Sequence, residues 1–254
     1  MSLADGRLLP FTDRLVSLTP PPLRTVLQRP LPSTGRPVRQ AVTSLVRFTL
    51  ILSLIAFVLL AATHLVNMLT WNGRFQTLNA DDDRSFWSWA SVATESSAAC
   101  ATAFLAFMAG RRRTLAFCAW VLLFLSLDDF IRIHEKLGSV YSPFPHAVRD
   151  LWPVLYLPLL ATLLILLWRV SSDGDEAVRT LVRGGLLALA VAVVLETGTP
   201  ILFAIGQGHG SPGYETEVAI EEGLELSGWI WVTGGLAALM IGRHMADLFT
   251  GTPD

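Results

Sequence analysis

Residues 126–137, SLDDFIRIHEKL, put Asp128, Asp129, Arg132, His134 and Glu135 at one end of an apolar segment. In water such side chains need no explanation. In hydrocarbon each ionisable group costs kilocalories unless it is paired, protonated or bound to a cation, so a charged intramembrane helix marks function. At about 100° per residue, Asp128, Arg132 and Glu135 fall within roughly 60° on one face, with Asp129 and His134 on its shoulders. An ion pair of Arg132 with Asp128 or Glu135 forms easily there and leaves the other acids unexplained.

The same chemistry recurs elsewhere. Glu95 is the lone charge of SFWSWASVATESSAACATAFLAFMAG after its opening turn, and Glu196 is the lone acid of VAVVLETGTPILF. The run YETEVAIEEGLELSGW carries Glu217, Glu221 and Glu225 at every fourth residue with Glu222 beside them, a spacing that lines one helix face. Glu95, Asp128, Glu196 and Glu225 each lie nine residues from the same end of their apolar runs, about 13 Å in at about 1.5 Å per residue. His64 comes out about 9 Å deep and Glu221 and Glu222 about 8 Å, with His134 and Glu135 nearer the mouth.

Charge counting turns this shared depth into a chemical expectation. Glu95, Asp128, Asp129, Glu135, Glu196, Glu221, Glu222 and Glu225 are eight acids facing two cations, Arg132 and Lys136. The excess must be protonated, in contact with water, or coordinating metal ions. Carboxylates from several helices with one or two imidazoles form the ligand set of di-metal carboxylate bundles, although the Glu-x-x-His pattern of the soluble versions is absent. Oxygen-rich ligation with some nitrogen suits iron, manganese or zinc. The expected metal ligands are His64, Asp128, Glu135, Glu221 and Glu225. His134 serves as an acid/base group, Glu95 and Glu196 as ligands or proton carriers, and Arg132 as the group that orients a carboxylate or an anionic headgroup.

These residues need helices in lipid to hold them. The 254 residues are 52% hydrophobic and 16% charged, with mean hydropathy +0.50, against about 25% charged for soluble domains. Six apolar runs stand out, at 47–70, 86–109, 114–137, 151–170, 181–205 and 216–243, each near the roughly 20 residues that cross a hydrocarbon core. The expected fold is all-α: a polytopic six-helix transmembrane bundle over residues 45–246, after a flexible Pro/Arg-rich tail of residues 1–44 and before a short tail of residues 247–254. Arginines crowd the N-terminal tail, the loop at Arg111–Arg113, the loop bracketed by Arg169 and Arg183, and Arg243. That bias places both termini in the cytoplasm and the acidic ends outside.

Smaller features complete the expectation. Lys136 is the only lysine, so no mid-helix lysine is available for a retinal-type Schiff base. Cys100 and Cys118 read as small buried residues rather than a disulfide. Asp81, Asp82 and Asp83 read as a solvated turn, and Trp71, Trp87, Trp89 and Trp152 as an interfacial belt. Ser91, Glu95, Ala98 and Thr102 form a small-residue stripe fit for close helix approach. Pro153 and Pro158 should kink the fourth run, while Gly198 and Pro200 should bend or break the fifth beside Glu196.

At Ser126, Asp128, Asp129, His134 and Glu135, and again at Glu221, Glu222 and Glu225, the chain resembles a loosely defined group of bacterial multi-pass membrane proteins. That group carries a serine, an acidic pair and a His-Glu pair on one helix and a Glu-Glu-x-x-Glu run on a later one. The resemblance covers the third to sixth runs, departs from the pattern at Asp129, where glutamate is expected, and implies no activity. A more distant similarity is to membrane hydrolases that include alkaline ceramidases. Their paired histidines, three residues apart, find no counterpart among His64, His134, His146, His209 and His244. The function expected is a metal-dependent membrane enzyme, with its site in the outer half of a bacterial inner-membrane bundle. It would act by hydrolysis or oxidation on a lipidic substrate. Its partners are the lipid bilayer and that substrate, not a nucleic acid. The alternative is a proton- or cation-coupled transporter using the same acids.

Overall fold

The structure, a computed structural model, describes residues 36–82, 84–108, 112–131, 133 and 152–250. Among these residues the regular structure is helical throughout. Six long helices follow one another: α1 (Arg36–Trp71), α2 (Phe86–Met108), α3 (Arg112–Ile131), α4 (Trp152–Ser171), α5 (Glu176–Ala204) and α6 (Pro212–Thr250), with a single 3-10 turn at Gln76–Leu78. Four of them hold stretches long and apolar enough to cross a membrane: Val38–Trp71, Arg113–Ile131, Glu176–Ala204 and Pro212–His244. Bulky apolar side chains such as Phe48, Leu54, Phe107, Trp120, Phe130 and Ile201 point away from the bundle. An outward apolar surface of that kind suits lipid rather than water.

The helix ends follow local chemistry. Asn72 and Gly73 take positive φ and stop α1, and the Gly73 N–H bonds back to the Asn67 carbonyl at 2.9 Å. Asp175 caps α5 by accepting the Val178 N–H at 2.9 Å, which satisfies one of the amides left open at a helix start. Gly206, at φ +81, ends the same helix. The α5 helix runs unbroken from Glu176 to Ala204, so the break expected at Gly198 and Pro200 does not occur. The α1 helix begins at Arg36, eleven residues ahead of the apolar run, so Arg39 lies on it rather than in a tail.

The α6 helix is the hub, packed against α1, α2 and α5, while α2 pairs with α3, and α4 leans on α5 and α3. Close approach explains the hub. A Cβ on Gly185 would sit 2.7 Å from the Gly228 carbonyl oxygen, and one on Gly228 would sit 2.7 Å from Leu189 Cγ. The α5 and α6 backbones therefore touch, as small residues allow in membranes. Interhelical hydrogen bonds add to the packing: Thr233 donates to the Thr94 carbonyl at 2.9 Å, and Ser126 shares a 2.7 Å bond with Ser96. Ser91, Glu95, Ala98 and Thr102 are all buried. The main core is aliphatic, with Leu115, Leu122, Leu167, Val182 and Leu236 at its centre.

Two side chains depart from expectation for a common reason: which face a residue lands on depends on its neighbours. Trp87 is 7% exposed and donates its ring N–H to Thr63 at 3.1 Å, so it is a packing residue, while Trp71 and Trp89 stay exposed. Cys100 is exposed on the outer side of α2, and only Cys118 is buried; both thiols are free.

Candidate functional site

Five helices enclose a cavity of about 390 Å³ with two kinds of lining group. Its carboxyl groups are Glu95 from α2, Asp128 and Asp129 from α3, Glu196 from α5, and Glu221, Glu222 and Glu225 from α6. Its aliphatic lining is chiefly Leu157, Leu160 and Leu164 from α4 with Val193 and Val194 from α5. Among the described residues the lining holds no Lys, Arg or His. Seven carboxyl groups in one cavity form a setting that favours positive charge, whether a proton, a metal ion or a cationic group.

Each acid reaches the chamber for a local reason. Glu221, Glu222 and Glu225 share a turn-and-a-bit of α6, and the every-fourth spacing aims two of them the same way. Glu95 belongs to the small stripe of α2, where neighbouring alanines let helices close around it. Its side chain is 1% exposed, and neither carboxyl oxygen receives a hydrogen bond from a protein donor. Asp129 faces it. A carboxyl–carboxyl contact becomes a hydrogen bond only when one partner carries a proton, so this pair either shares a proton or needs a cation. Glu225 is better served, its Oε1 accepting the Ser91 hydroxyl at 3.0 Å.

The floor of the chamber is aliphatic. Proceeding inward, α2 presents Ala98, Ala99 and Leu105, α3 presents Leu122 and Cys118, α5 presents Leu186 and Val182, and α6 presents Val232 and Leu236, all within the aliphatic core. Among the described residues the fully buried carboxyl-bearing side chains are Glu95, Asp128 and Glu215, so buried acids do not continue through the core.

His64 lies apart, in a second polar layer between the loops. Its ring and Glu215 are both 0% exposed, with Nε2 and Oε2 3.1 Å apart in a contact too poorly aligned to count as a hydrogen bond. Nδ1 accepts the Ala80 N–H at 3.0 Å, and Glu215 Oε1 accepts the Gly210 N–H at 2.7 Å. One turn on, Asn67 grips the Phe75 backbone at both its N–H and its carbonyl, each at 2.9 Å. His64 is thereby a loop-fastening residue rather than a lining one, because the lone pair at Nδ1 is already used. The Tyr214 hydroxyl donates to Asp81 Oδ2 at 3.0 Å, with His209 Nδ1 3.7 Å from the same oxygen. Burial pushes the Asp81 carboxyl above its ordinary range, the Tyr214 hydroxyl and then His209 opposing, although its side chain keeps 39% exposure. The acidic turn is therefore part of this fastening, with Asp82 accepting the Arg84 N–H at 2.8 Å.

The structure thus brings Glu95, Asp128, Glu196, Glu221 and Glu225 into one chamber and leaves His64 outside it. Arg132, His134 and Glu135 lie outside the described residues, as does Asp83. Among the described residues no three His, Cys, Asp or Glu side chains are already gathered as a metal ligand set. Glu215 was missed from sequence. Its signal is the Gly206, Gly208 and Gly210 loop followed by Pro212, which starts a helix and sets Glu215 in its first turn.

A family model described as a domain of unknown function, DUF8692, matches residues 49–239, from α1 through most of α6. No curated protein and no solved structure matches the chain.

Proposed function

The chain belongs to the DUF8692 family, and from that premise we propose that it is a membrane-embedded, metal-dependent enzyme whose carboxylate chamber acts on a lipidic substrate. All six helices cross the bilayer in this reading, with both termini cytoplasmic and the chamber opening to the outer side of a bacterial inner membrane. The single observation that carries the reading is that seven carboxyl groups and a row of aliphatic side chains share one cavity. In this reading a divalent ion offsets carboxylate charge in the chamber, and the aliphatic lining receives hydrocarbon.

Asp128, Glu221 and Glu225 are the proposed ligands, drawn together by the ion, with Glu95 and Glu196 as further ligands or proton carriers. His134 and Glu135, six and seven residues beyond Asp128, are proposed from sequence as acid/base and ligand groups at the mouth, beside Arg132. A bound metal would polarise an ester, amide or hydroxyl-bearing group and lower the pKa of attached water. Hydrolysis and oxidation both fit this donor set. His64 takes no part.

Elemental analysis of detergent-purified protein beside an Asp128→Ala, Glu225→Ala double variant tests the proposal. Near-stoichiometric iron, manganese or zinc that disappears in the variant supports it. Trace metal unchanged between the two refutes it.

Cation-coupled transport is the second reading, favoured by the Glu95–Asp129 pair as a proton carrier. The aliphatic floor opposes it, since a transported ion would have to cross that layer. Proton flux in proteoliposomes, abolished by Glu95→Gln, would turn the assignment toward transport.

A further inference from the structure

Where α4 ends and α5 begins, the exposed apolar faces of both helices stop at an aromatic ring and two arginines. On α5, Leu187, Val191, Val194 and Ile201 are exposed and share one helix face. Followed toward the start of the helix, that face reaches Arg183 one turn before Leu187 and Arg179 one turn before that. On α4, exposed Leu157 and Ile165 lead along one face to Trp168, which is 39% exposed. Tryptophan and arginine together at the end of an apolar face mark the level of lipid headgroups.

The protein itself holds the Arg183 side chain at that level. Its Cζ stands 4.7 Å from the centre of the Trp168 ring, a cation–π contact. Its Nε donates to Ser171 Oγ at 3.2 Å and its Nη2 to Ser172 Oγ at 2.9 Å. The Ser171 hydroxyl donates in turn to the Trp168 carbonyl at 2.6 Å, which leaves its lone pairs to receive Arg183. A guanidinium carries five N–H donors, so bonds to two hydroxyls leave part of the fork open to an anion. One turn away, Arg179 donates to the Gly174 carbonyl at 3.3 Å.

The acids of the same loop serve other groups. Asp173 pairs with Arg243 at 2.6 Å, and Asp175 caps α5 by accepting the Val178 N–H at 2.9 Å. Among the described residues neither Arg179 nor Arg183 enters an ion pair. A phosphodiester is the anion met at headgroup level, and its oxygens suit the planar fork of arginine. We infer that the α4–α5 junction binds an anionic glycerophospholipid, with its phosphate on Arg183 beside Arg179 and an acyl chain along Ile165, Leu187 and Val191. A zwitterionic head suits the place less, because its ammonium would stand beside two guanidiniums. The inference is independent of the chamber and of any metal.

Native mass spectrometry of the full chain tests it, after uptake into nanodiscs of equal phosphatidylglycerol and phosphatidylcholine with matched chains and release in mild detergent. The wild-type protein is expected to retain phosphatidylglycerol about twentyfold over phosphatidylcholine, since each of two nearby arginines favours an anionic lipid about fivefold. Arg183→Gln should cut that preference about fivefold. Trp168→Leu, at a partly exposed position, should lower it in the same direction by freeing the guanidinium. Arg39→Gln, exposed on α1 and outside these contacts, should leave it unchanged. Phosphatidylglycerol should also raise the Tm of the wild-type protein and not that of Arg183→Gln, whereas a purely structural arginine would cost the same in either lipid.

Equal retention of the two lipids by the wild-type protein overturns the inference, whether or not the variants fold. A preference that survives Arg183→Gln, or that falls as far in Arg39→Gln, assigns it to general surface charge and overturns the inference as well. Release of phosphatidylglycerol by inorganic phosphate would make the junction a free-anion site and overturn the lipid assignment. A preference lost in Arg183→Gln, lowered in Trp168→Leu and indifferent to inorganic phosphate sustains it.

Discussion

Removing the His64 ring isolates the energetic role of the polar layer above the chamber. His64→Ala deletes the acceptor of the Ala80 N–H and leaves Glu215 Oε2 facing a void, while Glu215 Oε1 keeps the Gly210 N–H. Breaking a buried pair by removing one partner costs about 3–5 kcal/mol, and an orphaned buried amide costs about 1–3 kcal/mol. The two overlap, because both arise from loss of the same ring, so we expect a net loss of about 4 kcal/mol. At about 2–4 °C per kcal/mol for a chain of this size, Tm falls by about 8–16 °C. The assay is thermal loss of the monodisperse peak in nanodiscs, for His64→Ala, Glu215→Ala and the double variant. The double variant should lose no more than the worse single one, giving a coupling of about 2–3 kcal/mol. Additive losses, or a single-variant shift under about 2 °C, would refute the assignment of His64 to the fastening layer.

Three further outcomes follow from the same geometry. Glu95→Gln replaces a buried carboxyl that has no protein donor with a neutral amide able to donate to Asp129, so Tm should rise while metal retention falls; a lower Tm would contradict the account of that site. Gly228→Ala drives a methyl into Leu189 and the Gly185 carbonyl, an overpacking worth about 1–3 kcal/mol of lost stability, and an unchanged melting curve would show that α5 and α6 are not in backbone contact. Asp81, raised by burial and outside the spans, holds its proton more tightly folded than unfolded. Its contribution to stability therefore grows as pH falls from that raised value toward about 4 and is level below it. Asp81→Asn keeps an acceptor for Tyr214 and should flatten that part of the Tm–pH curve, whereas an unaltered slope would assign the titration to another group.

The helices were legible because hydropathy is a local property. Among the described residues the apolar runs lie on helices, four of them holding stretches long and apolar enough to cross a membrane, although α1 starts at Arg36 rather than near residue 47, since arginine and threonine continue a helix without adding to an apolar run. The chamber was legible in part for a related reason: equal depth plus helical period is enough to converge Glu95, Asp128, Glu196 and Glu225, with no knowledge of which helices touch. His64 was grouped with the chamber by depth, which says nothing of direction, and it is not among the residues that line the cavity. Its two partners are 16 residues away at Ala80 and much farther along the chain at Glu215, a pairing that only the packing of α6 on α1 creates. The continuous α5 shows that Gly198 and Pro200 do not by themselves break a helix.

The aliphatic floor has an electrical consequence. A bilayer's potential drops mainly across its hydrocarbon, worth about 2.3 kcal/mol per elementary charge per 100 mV. In the proposed outward-facing orientation, with acids at a depth of about 13 Å from sequence in a layer about 30 Å thick, a cation reaching them from outside would travel through somewhat under half of that drop. Occupancy by a divalent ion would then be favoured by about 2 kcal/mol per 100 mV, inside negative. In that orientation the chamber would load more readily on an energised membrane than on a depolarised one, with no ion crossing the floor.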